Sequence, residues 1–284
     1  MDRAKSVLVT GATGFIGRAT VASLEQAGWV VTRGVRAASR SSGDGEIYLD
    51  LNNPAEILAL ENGARFDAIV HLGAHVGWSG ATEAEMFVPN ILATGCLAFL
   101  ASQWSAHLVY ASAAIVCGIK SERIDASTPV FADTDYAQSK RLGEQLIEAS
   151  HAPHCILRIG GVFGSNGPAH LGLNRAIDGA LKGNSPMQSG SGTALRNYIY
   201  VKDVAEAIVF SLQHRLEGTH CLAGSEVTSM NQMLQTICDT LLPGQQPAMA
   251  EGPEAMNQVI EPSKHLPKSR GFREALTDIK GTRQ

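Results

Sequence analysis

Three glycines spaced three residues apart, Gly11, Gly14 and Gly17, constrain the fold of this chain more than any other feature. They follow a short apolar run at Ser6–Thr10, which predicts a buried strand, and they precede apolar residues at helical spacing over residues 18–27. Glycine permits a sharp turn and a close backbone approach to a ligand, and a helix start offers free N–H groups to an anion. This order of strand, glycine turn and helix predicts a site for the pyrophosphate of a dinucleotide.

Strand and helix signals continue to alternate through about residue 165. The further strands are predicted at residues 29–35, 46–49, 67–72, 106–110 and 154–158, and the further helices at residues 54–61, 83–102 and 135–149. This alternation predicts an α/β fold with a Rossmann-type doubly wound parallel sheet over residues 1–165. Later sheet elements are expected from about residues 195–224. Residues 166–284 are expected to form a small, interleaved substrate-binding subdomain, in which residues 243–267 have little periodicity.

Composition and charge favour small-molecule partners. Of the 284 residues, 44% are hydrophobic and 18% are charged, and the net charge of −4 indicates no nucleic-acid or membrane partner. The most apolar run, residues 91–101, is too short to span a bilayer. The five cysteines lie far apart without a Cys-x-x-Cys pair, which predicts no metal site and no disulfide framework and favours a cytoplasmic location.

A tyrosine and a lysine lie one turn apart on one face of the predicted helix 135–149. These residues are Tyr136 and Lys140. A phenol has a pKa of about 10, so its half-ionisation at pH 7 requires about three pH units, or roughly 4 kcal/mol, of stabilisation. A neighbouring ammonium and a cationic nicotinamide are groups of the kind that supply it. The pair is a candidate acid–base unit, and taken alone it also fits an exposed helix face.

Together, these motifs resemble those of the extended branch of the short-chain dehydrogenase/reductase superfamily, the NAD(P)-dependent epimerase/dehydratase family, which acts largely on nucleotide sugars. The resemblance runs over nearly the whole chain. Its motifs are the cofactor loop at residues 10–17, the acidic pair Asp50-Leu51, the strand ending His71-Leu72-Gly73-Ala74, Asn90 with Thr94, and the Tyr-x-x-x-Lys motif at Tyr136 and Lys140. Residues 157–164 and 196–203 resemble two later segments of the family, with Ile159 and Phe163 as departures in the first and Ala93 replacing a glycine beside Asn90.

The resemblance implies a role for each matching residue. Tyr136 is implied to be the general acid/base, and Lys140 to lower its pKa and hold the nicotinamide ribose, while hydride moves between a carbon of the substrate and the nicotinamide. The implied cofactor-binding residues are Gly11, Thr13, Gly14, Phe15, Ile16, Gly17, Arg36, Asp50, Leu51, Leu72, Gly73, Ala74, Asn90, Tyr136 and Lys140. The implied substrate-binding residues are His75, Ala113 and Arg196, with Arg158 as a weaker candidate for a diphosphate clamp. A homodimer built from helices 83–102 and 135–149 is also implied.

One position departs from the family. Where the family has a serine or threonine that hydrogen-bonds the substrate oxygen, an ungapped alignment places Ala113, and Ser112 falls one residue early. In a strand, an offset of one residue turns the side chain to the opposite face. Ser112 is therefore a candidate catalytic donor with a backbone-bonding loop serine as the alternative. Dehydratases and decarboxylases of this branch need an added acid here, and Ala113-Ala114 disfavours both reactions.

The end of the second predicted strand bears on the choice of cofactor. Val35 occupies the position where an acid would bind the adenine ribose of NAD, and Arg36 follows it, with Arg18, Arg33 and Arg40 nearby. We expect NADP to be preferred over NAD, although such an arginine cluster also fits a solvated rim.

The expected function is an NAD(P)-dependent oxidoreductase acting on a nucleotide-linked sugar, specifically a 4-ketoreductase. A nucleotide-sugar 4-epimerase that retains its cofactor is the first alternative. A catalytically weak NADP-binding sensor protein is the second, because the serine is missing at position 113. The sequence does not specify the sugar or the nucleotide.

Overall fold

The computed structural model describes residues 4–36, 45–63, 65–77 and 83–282. They belong to two compact units, each assembled from several chain segments. The first unit takes its residues from Met1–Ile119, Pro129–Arg158 and Val204–His220, and the second from Lys120–Thr128, Ile159–Asp203 and Cys221–Gln284. The units interleave more finely than a division near residue 165, since residues 120–128 already belong to the second.

The strands are β1 (Ser6–Thr10), β2 (Val30–Val35), β3 (Glu46–Tyr48), β4 (Ala68–His71), β5 (His107–Ala113), β6 (Arg123–Ile124), β7 (His154–Ile159), β8 (Val162–Phe163), β9 (Met187–Ser189), β10 (Leu195–Arg196), β11 (Ile199–Tyr200), β12 (Gly218–Leu222), β13 (Thr228–Ser229), β14 (Ala248–Ala250) and β15 (Val259–Ile260). The helices are α1 (Phe15–Gln26), α2 (Pro54–Ala59), α3 (Glu83–Met86), α4 (Ala93–Trp104), α5 (Asp135–Ala149), α6 (Gly172–Ala180), α7 (Val201–Gln213), α8 (Met230–Leu241) and α9 (Phe272–Gly281).

A seven-stranded sheet in the order β12-β7-β5-β4-β1-β2-β3 confirms the predicted doubly wound α/β fold. The pairs β1 with β2, β1 with β4, β2 with β3 and β4 with β5 are parallel. The order reverses between β1 and β4, and in such sheets a ligand binds outside the carboxyl ends of the strands at this reversal. The glycine turn that follows β1 therefore lies at the expected binding edge.

The core of the first unit joins the sheet to its helices. Leu8, Ile69, Leu108 and Ile156 lie on four strands of the sheet and are fully buried in one apolar cluster with Leu97 of α4. Their burial explains why β1, β4, β5 and β7 are largely apolar in sequence, since a parallel sheet is covered on both faces.

The helix that was predicted to contain Tyr136 and Lys140, α5, has the predicted bounds, Asp135–Ala149. Thr134 is its N-cap, and the hydroxyl of Thr134 accepts a hydrogen bond from the Ala137 nitrogen at 3.2 Å. Other boundaries differ from the prediction. Helix α1 begins at Phe15, three residues earlier than predicted, and Asn53 precedes α2 without making a side-chain cap bond.

The predicted helix 83–102 contains a change of helical type. Between α3 and α4 the chain forms a π-helical turn at Phe87–Leu92 that includes Pro89, a residue without a backbone N–H. The stretch Ala84–Trp104 is longer than the apolar run of residues 91–101. It is long and apolar enough to cross a membrane, with a mean hydropathy of 1.5 over an 18-residue window. Half of that window is buried inside the protein.

Several segments predicted as loops contain strands. The strand predicted at residues 106–110 continues to Ala113 because residues through Ser112 are buried in the sheet. In the second unit, short strands pair as β8 with β11, β9 with β14, β6 with β15 and β10 with β13. The sequence prediction also missed α9, whose buried residues recur at helical spacing.

Candidate active site

Glycine is required at different positions of the first turn for different structural reasons. Gly11 has a φ of +66°, and a Cβ there would lie 2.6 Å from the backbone nitrogen of Gly73 after β4. A Cβ on Gly17 would lie 2.0 Å from the carbonyl oxygen of Gly11. At Gly14 a Cβ would meet only that same oxygen, at 3.1 Å. Gly11 and Gly17 therefore allow β1, β4 and α1 to approach closely, and Gly14 leaves space beside the helix start.

The start of α1 fits a dinucleotide pyrophosphate. Gly14 is the N-cap of this helix and provides no side-chain cap, and the first turn has no acidic residue. The first N–H groups, beginning at Phe15 and Ile16, are thus available to a diphosphate at the positive end of the helix dipole. Arg18 points back along the turn, and its Nη1 donates to the Thr13 carbonyl at 2.6 Å. This donor set is the chemistry that a nicotinamide dinucleotide requires.

The adenine side of the predicted site is formed by segments after β2 and β3. Val35 is the buried last residue of β2, and Arg36 after it is exposed. Arg33 forms an ion pair with Glu25, so this arginine is not a free member of the predicted cluster, and Arg40 lies outside the described residues.

The two residues Asp50 and Leu51, which follow β3, lie beside the glycine turn. The Leu51 side chain abuts Gly73, where a Cβ would lie 2.5 Å from Leu51 Cδ1. Asp50 Oδ1 accepts hydrogen bonds from the backbone and the side-chain amide of Asn52 at 2.9 and 3.0 Å. Asp50 and Leu51 are thus held next to the end of β4, where the resemblance implies that they contact the cofactor.

The end of β4 is fixed by a buried histidine. His71 Nδ1 lies 2.6 Å from Thr10 Oγ1 on β1, and His71 Nε2 lies 2.9 Å from Thr94 Oγ1 on α4. Burial lowers the pKa of His71 to about 3, so the ring is neutral. Because Thr94 Oγ1 donates to the Asn90 carbonyl, the Nε2 atom of His71 is the donor to Thr94. His71 therefore ties two strands to a helix and has a structural role.

Asn90 clamps the loop that follows β4. Its Oδ1 accepts from the His75 nitrogen at 2.7 Å, and its Nδ2 donates to the His75 carbonyl at 2.9 Å and to Ser139 Oγ at 3.0 Å. Ser139 in turn donates to the Tyr136 carbonyl at 2.9 Å. Both amide hydrogens of Asn90 are used within the protein, and its contact with the cofactor stays a prediction of the resemblance. Asn90 thus anchors His75, at the end of the loop that follows β4, to α5.

Tyr136 and Lys140 lie on the first turns of α5, and the lysine is buried. Lys140 Nζ donates to the Ala111 carbonyl at 2.8 Å. The same ammonium lies 5.8 Å from the ring centroid of Tyr136 and 4.8 Å from that of Tyr110. Burial raises the pKa of Tyr136 to about 12 and lowers the pKa of Lys140 to about 7. In the protein alone, Tyr136 is a protonated phenol next to an ammonium that titrates near neutral pH.

The Ser112 hydroxyl is not placed to donate to a substrate. It lies within β5, not in a loop, and its buried hydroxyl donates to Glu144 Oε1 at 2.6 Å. The proton that Ser112 was expected to offer to a substrate oxygen is therefore given to a carboxylate. Ala113, the last residue of β5, is partly exposed and has no hydroxyl. The site has the tyrosine and lysine of the family's catalytic set but not its serine.

The carboxylate of Glu144 is a feature that sequence reasoning missed. It is fully buried on α5 and accepts from Arg158 Nε and Nη2 at 3.0 and 2.8 Å and from Arg141 Nη1 at 3.0 Å. These contacts hold the pKa of Glu144 below its usual value despite burial. Arg158 is thus committed to a buried ion pair, not to a diphosphate clamp. The signal in the sequence was the spacing of Glu144, one turn beyond Lys140.

The remaining predicted residues are located as follows. Arg196 belongs to the second unit, on β10, where its Nη1 donates to the carbonyls of Leu195, at 3.0 Å, and Met256. His75 is exposed after β4. Within the part of the chain that the structure describes, no group of three histidine, cysteine or acidic residues is placed to hold a metal ion.

Comparison with known proteins identifies the family. Residues 7–224 match the model of the NAD dependent epimerase/dehydratase family. The chain belongs to this family. Members of the NAD dependent epimerase/dehydratase family are enzymes, so the protein is an NAD-dependent enzyme of the oxidoreductase or epimerase type.

Individual relatives differ in their reactions. The chain is 30% identical over 230 residues to dTDP-6-deoxy-L-talose 4-dehydrogenase (NAD(P)(+)) of Kitasatospora kifunensis, covering 74% of this chain and 70% of that protein. It is 24% identical over 251 residues to UDP-glucose 4-epimerase 2 of Arabidopsis thaliana, covering 74% and 72%. Among solved structures, MoeE5 in complex with UDP-glucose and NAD has a TM-score of 0.78 at 27% identity and covers 98% of each chain.

Proposed function

We propose that this enzyme is an NADPH-dependent 4-ketoreductase of a nucleotide-linked sugar. The observation that carries the proposal is the pair at the start of α5, in which the buried Lys140 ammonium lies 5.8 Å from the centroid of the Tyr136 ring while Ala113 offers no hydroxyl. With Ser112 bonded to Glu144, Tyr136 is the proton donor of this arrangement. His75, Ala113 and Arg196 are the proposed substrate contacts.

In the proposed reaction, the reduced nicotinamide, when bound, supplies a hydride to the carbonyl carbon. The Tyr136 hydroxyl donates its proton to the carbonyl oxygen, which becomes the alcohol. The charge that develops on the phenolate is stabilised by the ammonium of Lys140, whose position is fixed by its bond to the Ala111 carbonyl. Burial of Lys140 strengthens its electrostatic interaction with the phenolate.

Tyr136 serves both reactions that the family relatives carry out. Burial raises the pKa of Tyr136 to about 12 and keeps the phenol protonated in the protein alone, the state from which a reduction starts. A reductase uses this phenol as an acid, and an epimerase uses it first as a base and then as an acid. The name of the Kitasatospora relative, a 4-dehydrogenase, supports redox chemistry at carbon 4. The Arabidopsis relative favours the alternative, a nucleotide-sugar 4-epimerase that retains its cofactor.

The proposed preference for NADP rests on the end of β2, where Val35 replaces an acid and Arg36 is exposed. The variant Arg36→Ala tests this proposal. Loss of one charged hydrogen bond predicts a roughly ten-fold increase in KM for NADPH and an unchanged KM for NADH. A preference of the unaltered protein for NADH would contradict the proposal.

We also propose a homodimer formed by the helices around the catalytic pair. Phe87, Leu92, Phe99 and Leu142 are 41–49% exposed although they are large and apolar. Light scattering is expected to give a dimer for the wild type and a monomer for Leu142→Glu. The control is Val30→Glu on β2, which replaces an apolar residue that is 54% exposed, compared with 44% for Leu142, outside these helices. A monomeric wild type would contradict the proposal.

Incubation of the purified protein with NADPH and a 4-keto nucleotide sugar tests the function itself. A reductase oxidises one cofactor for each sugar reduced. Isomerisation of a nucleotide sugar without net cofactor change would instead identify an epimerase. Cofactor binding without either reaction would support the sensor alternative.

A further inference from the structure

Glu144 is a fully buried carboxylate that the proposed reaction does not use directly. It lies one turn after Lys140 on α5, as Lys140 lies one turn after Tyr136, so the three side chains share one face of the helix. Carboxylates are rarely buried unless they are paired, because removing their charge from water costs free energy. Glu144 is paired with two arginines and a serine, Arg141, Arg158 and Ser112. A charge retained at such a position requires an explanation beyond packing.

The bonds of Glu144 connect it to the strand that holds Lys140. Glu144 accepts from Ser112 on β5, and the residue before Ser112 is Ala111, whose carbonyl accepts from Lys140 Nζ. Two consecutive residues of β5 are thus bonded to two consecutive turns of α5. Glu144 and Lys140 are therefore linked through adjacent residues of one strand.

The charges around Lys140 are few in the described part of the chain. Tyr136 on the same helix and Tyr110 on β5 are neutral phenols, and His71 on β4 is a neutral imidazole. Glu144 is the negative group of this environment, with Arg158 and Arg141 bonded to its carboxylate. Burial lowers the pKa of Lys140, and the charge of Glu144 raises it.

We propose that Glu144 is a positioning residue whose negative charge keeps the buried ammonium of Lys140 protonated for the reaction. The inference rests on the proposed function for the statement that Lys140 acts in catalysis. The effect on the protonation of Lys140 is a property of the protein alone, however, and it is measured without substrate.

The experiment is a pH titration of ¹³C-lysine-labelled protein by NMR. The signal of Lys140, one of eight lysines, is identified by its absence in Lys140→Met. Glu144→Gln keeps the shape of the side chain and removes the charge, and it is expected to lower the titration midpoint of Lys140 by about one pH unit. Glu144→Asp keeps the charge and is expected to restore most of the shift. Glu274→Gln removes an exposed carboxylate from α9 in the second unit, and this control is expected to change nothing.

A second variant covers the case in which Glu144→Gln does not fold. Arg141 is partly exposed and donates to Glu144 Oε2, so its loss is tolerated more easily. Arg141→Gln leaves the carboxylate less neutralised and is expected to raise the midpoint of Lys140. An unchanged midpoint in folded Glu144→Gln, or a lowered one in Arg141→Gln, overturns the proposal.

Kinetics provide the second readout. With a midpoint near pH 6 instead of about 7, the charged fraction of Lys140 at pH 7 falls about five-fold, so reduction slows about five-fold and recovers at lower pH. A purely structural role would lower the rate at every pH. If the unaltered protein reduces no keto sugar, the proposed function fails while the NMR titration still decides the role of Glu144.

Discussion

The substitution Ala113→Ser tests whether the absence of a hydroxyl at position 113 limits the rate of keto-sugar reduction. Ala113 is the last residue of β5 and is partly exposed, so a serine adds one oxygen without displacing a packed group. Ser112 points its hydroxyl to Glu144, and the next residue along a strand faces the opposite way. The new hydroxyl is therefore directed away from Glu144, towards the side where the family has its donor.

The expected gain follows from the strength of one hydrogen bond to developing charge. Such bonds contribute about 1.5–3 kcal/mol, and about 1.4 kcal/mol corresponds to a ten-fold change in rate. We expect kcat for the keto sugar to rise about ten-fold, which corresponds to the lower end of this free-energy range. The lower end applies because no neighbouring group holds the new hydroxyl in the orientation of a donor. KM for the cofactor is expected to remain unchanged.

Steady-state consumption of NADPH measures the effect, with two control variants. Ala114→Ser adds the same hydroxyl at a buried neighbour, 2% exposed, and is expected to give no gain. Ser112→Ala removes the bond to Glu144 and is expected to lower the free energy of unfolding by about 1.5–3 kcal/mol with little change in KM. If Ser112→Ala abolished turnover in a folded protein while Ala113→Ser had no effect, the assignment of Tyr136 as the sole donor would be refuted.

Three further predictions address the catalytic pair and the glycine turn. Tyr136→Phe is expected to lower kcat by about 10²–10⁴-fold while cofactor affinity, measured by fluorescence titration, stays the same; a smaller loss would argue against acid catalysis by this phenol. Because the pKa of Lys140 is about 7, the ammonium is present below that pH, and the reduction rate is expected to fall as the pH rises through about 7; a rate that rises over this range would contradict the role of Lys140. Gly17→Ala places a Cβ 2.0 Å from the Gly11 carbonyl and is expected to destabilise the protein by about 3 kcal/mol in chemical denaturation, whereas Gly172→Ala, which has nothing within 4 Å, serves as the control that should not.

Features with a local cause could be predicted from the sequence. The Gly11 turn, the strand before it and the bounds of α5 each depend on residues within a few positions, such as the Thr134 cap. The doubly wound parallel sheet follows from the alternation of strands and helices. These parts of the fold could therefore be predicted from the sequence.

Features that depend on contacts distant in sequence could not be predicted. The Ser112 hydroxyl bonds a carboxylate 32 residues away, and Arg158 reaches the same carboxylate from another strand. Asn90 likewise bonds His75 and Ser139, which lie on different elements. Sequence spacing identifies which residues share a helix face, but it does not specify which group from another element satisfies them. The hydrogen-bond partners of Ser112, Asn90 and Arg158 could not be predicted for this common reason.

The most direct test of the central claim follows one hydrogen. The protein is incubated with NADPH that carries deuterium in the transferable position and with a 4-keto nucleotide sugar, and the product is examined by mass spectrometry and NMR. The proposed mechanism predicts a 4-hydroxy sugar with deuterium on carbon 4, one oxidised cofactor for each product, and loss of this transfer in Tyr136→Phe. Recovery of an epimerised sugar without deuterium and without net cofactor oxidation would contradict it.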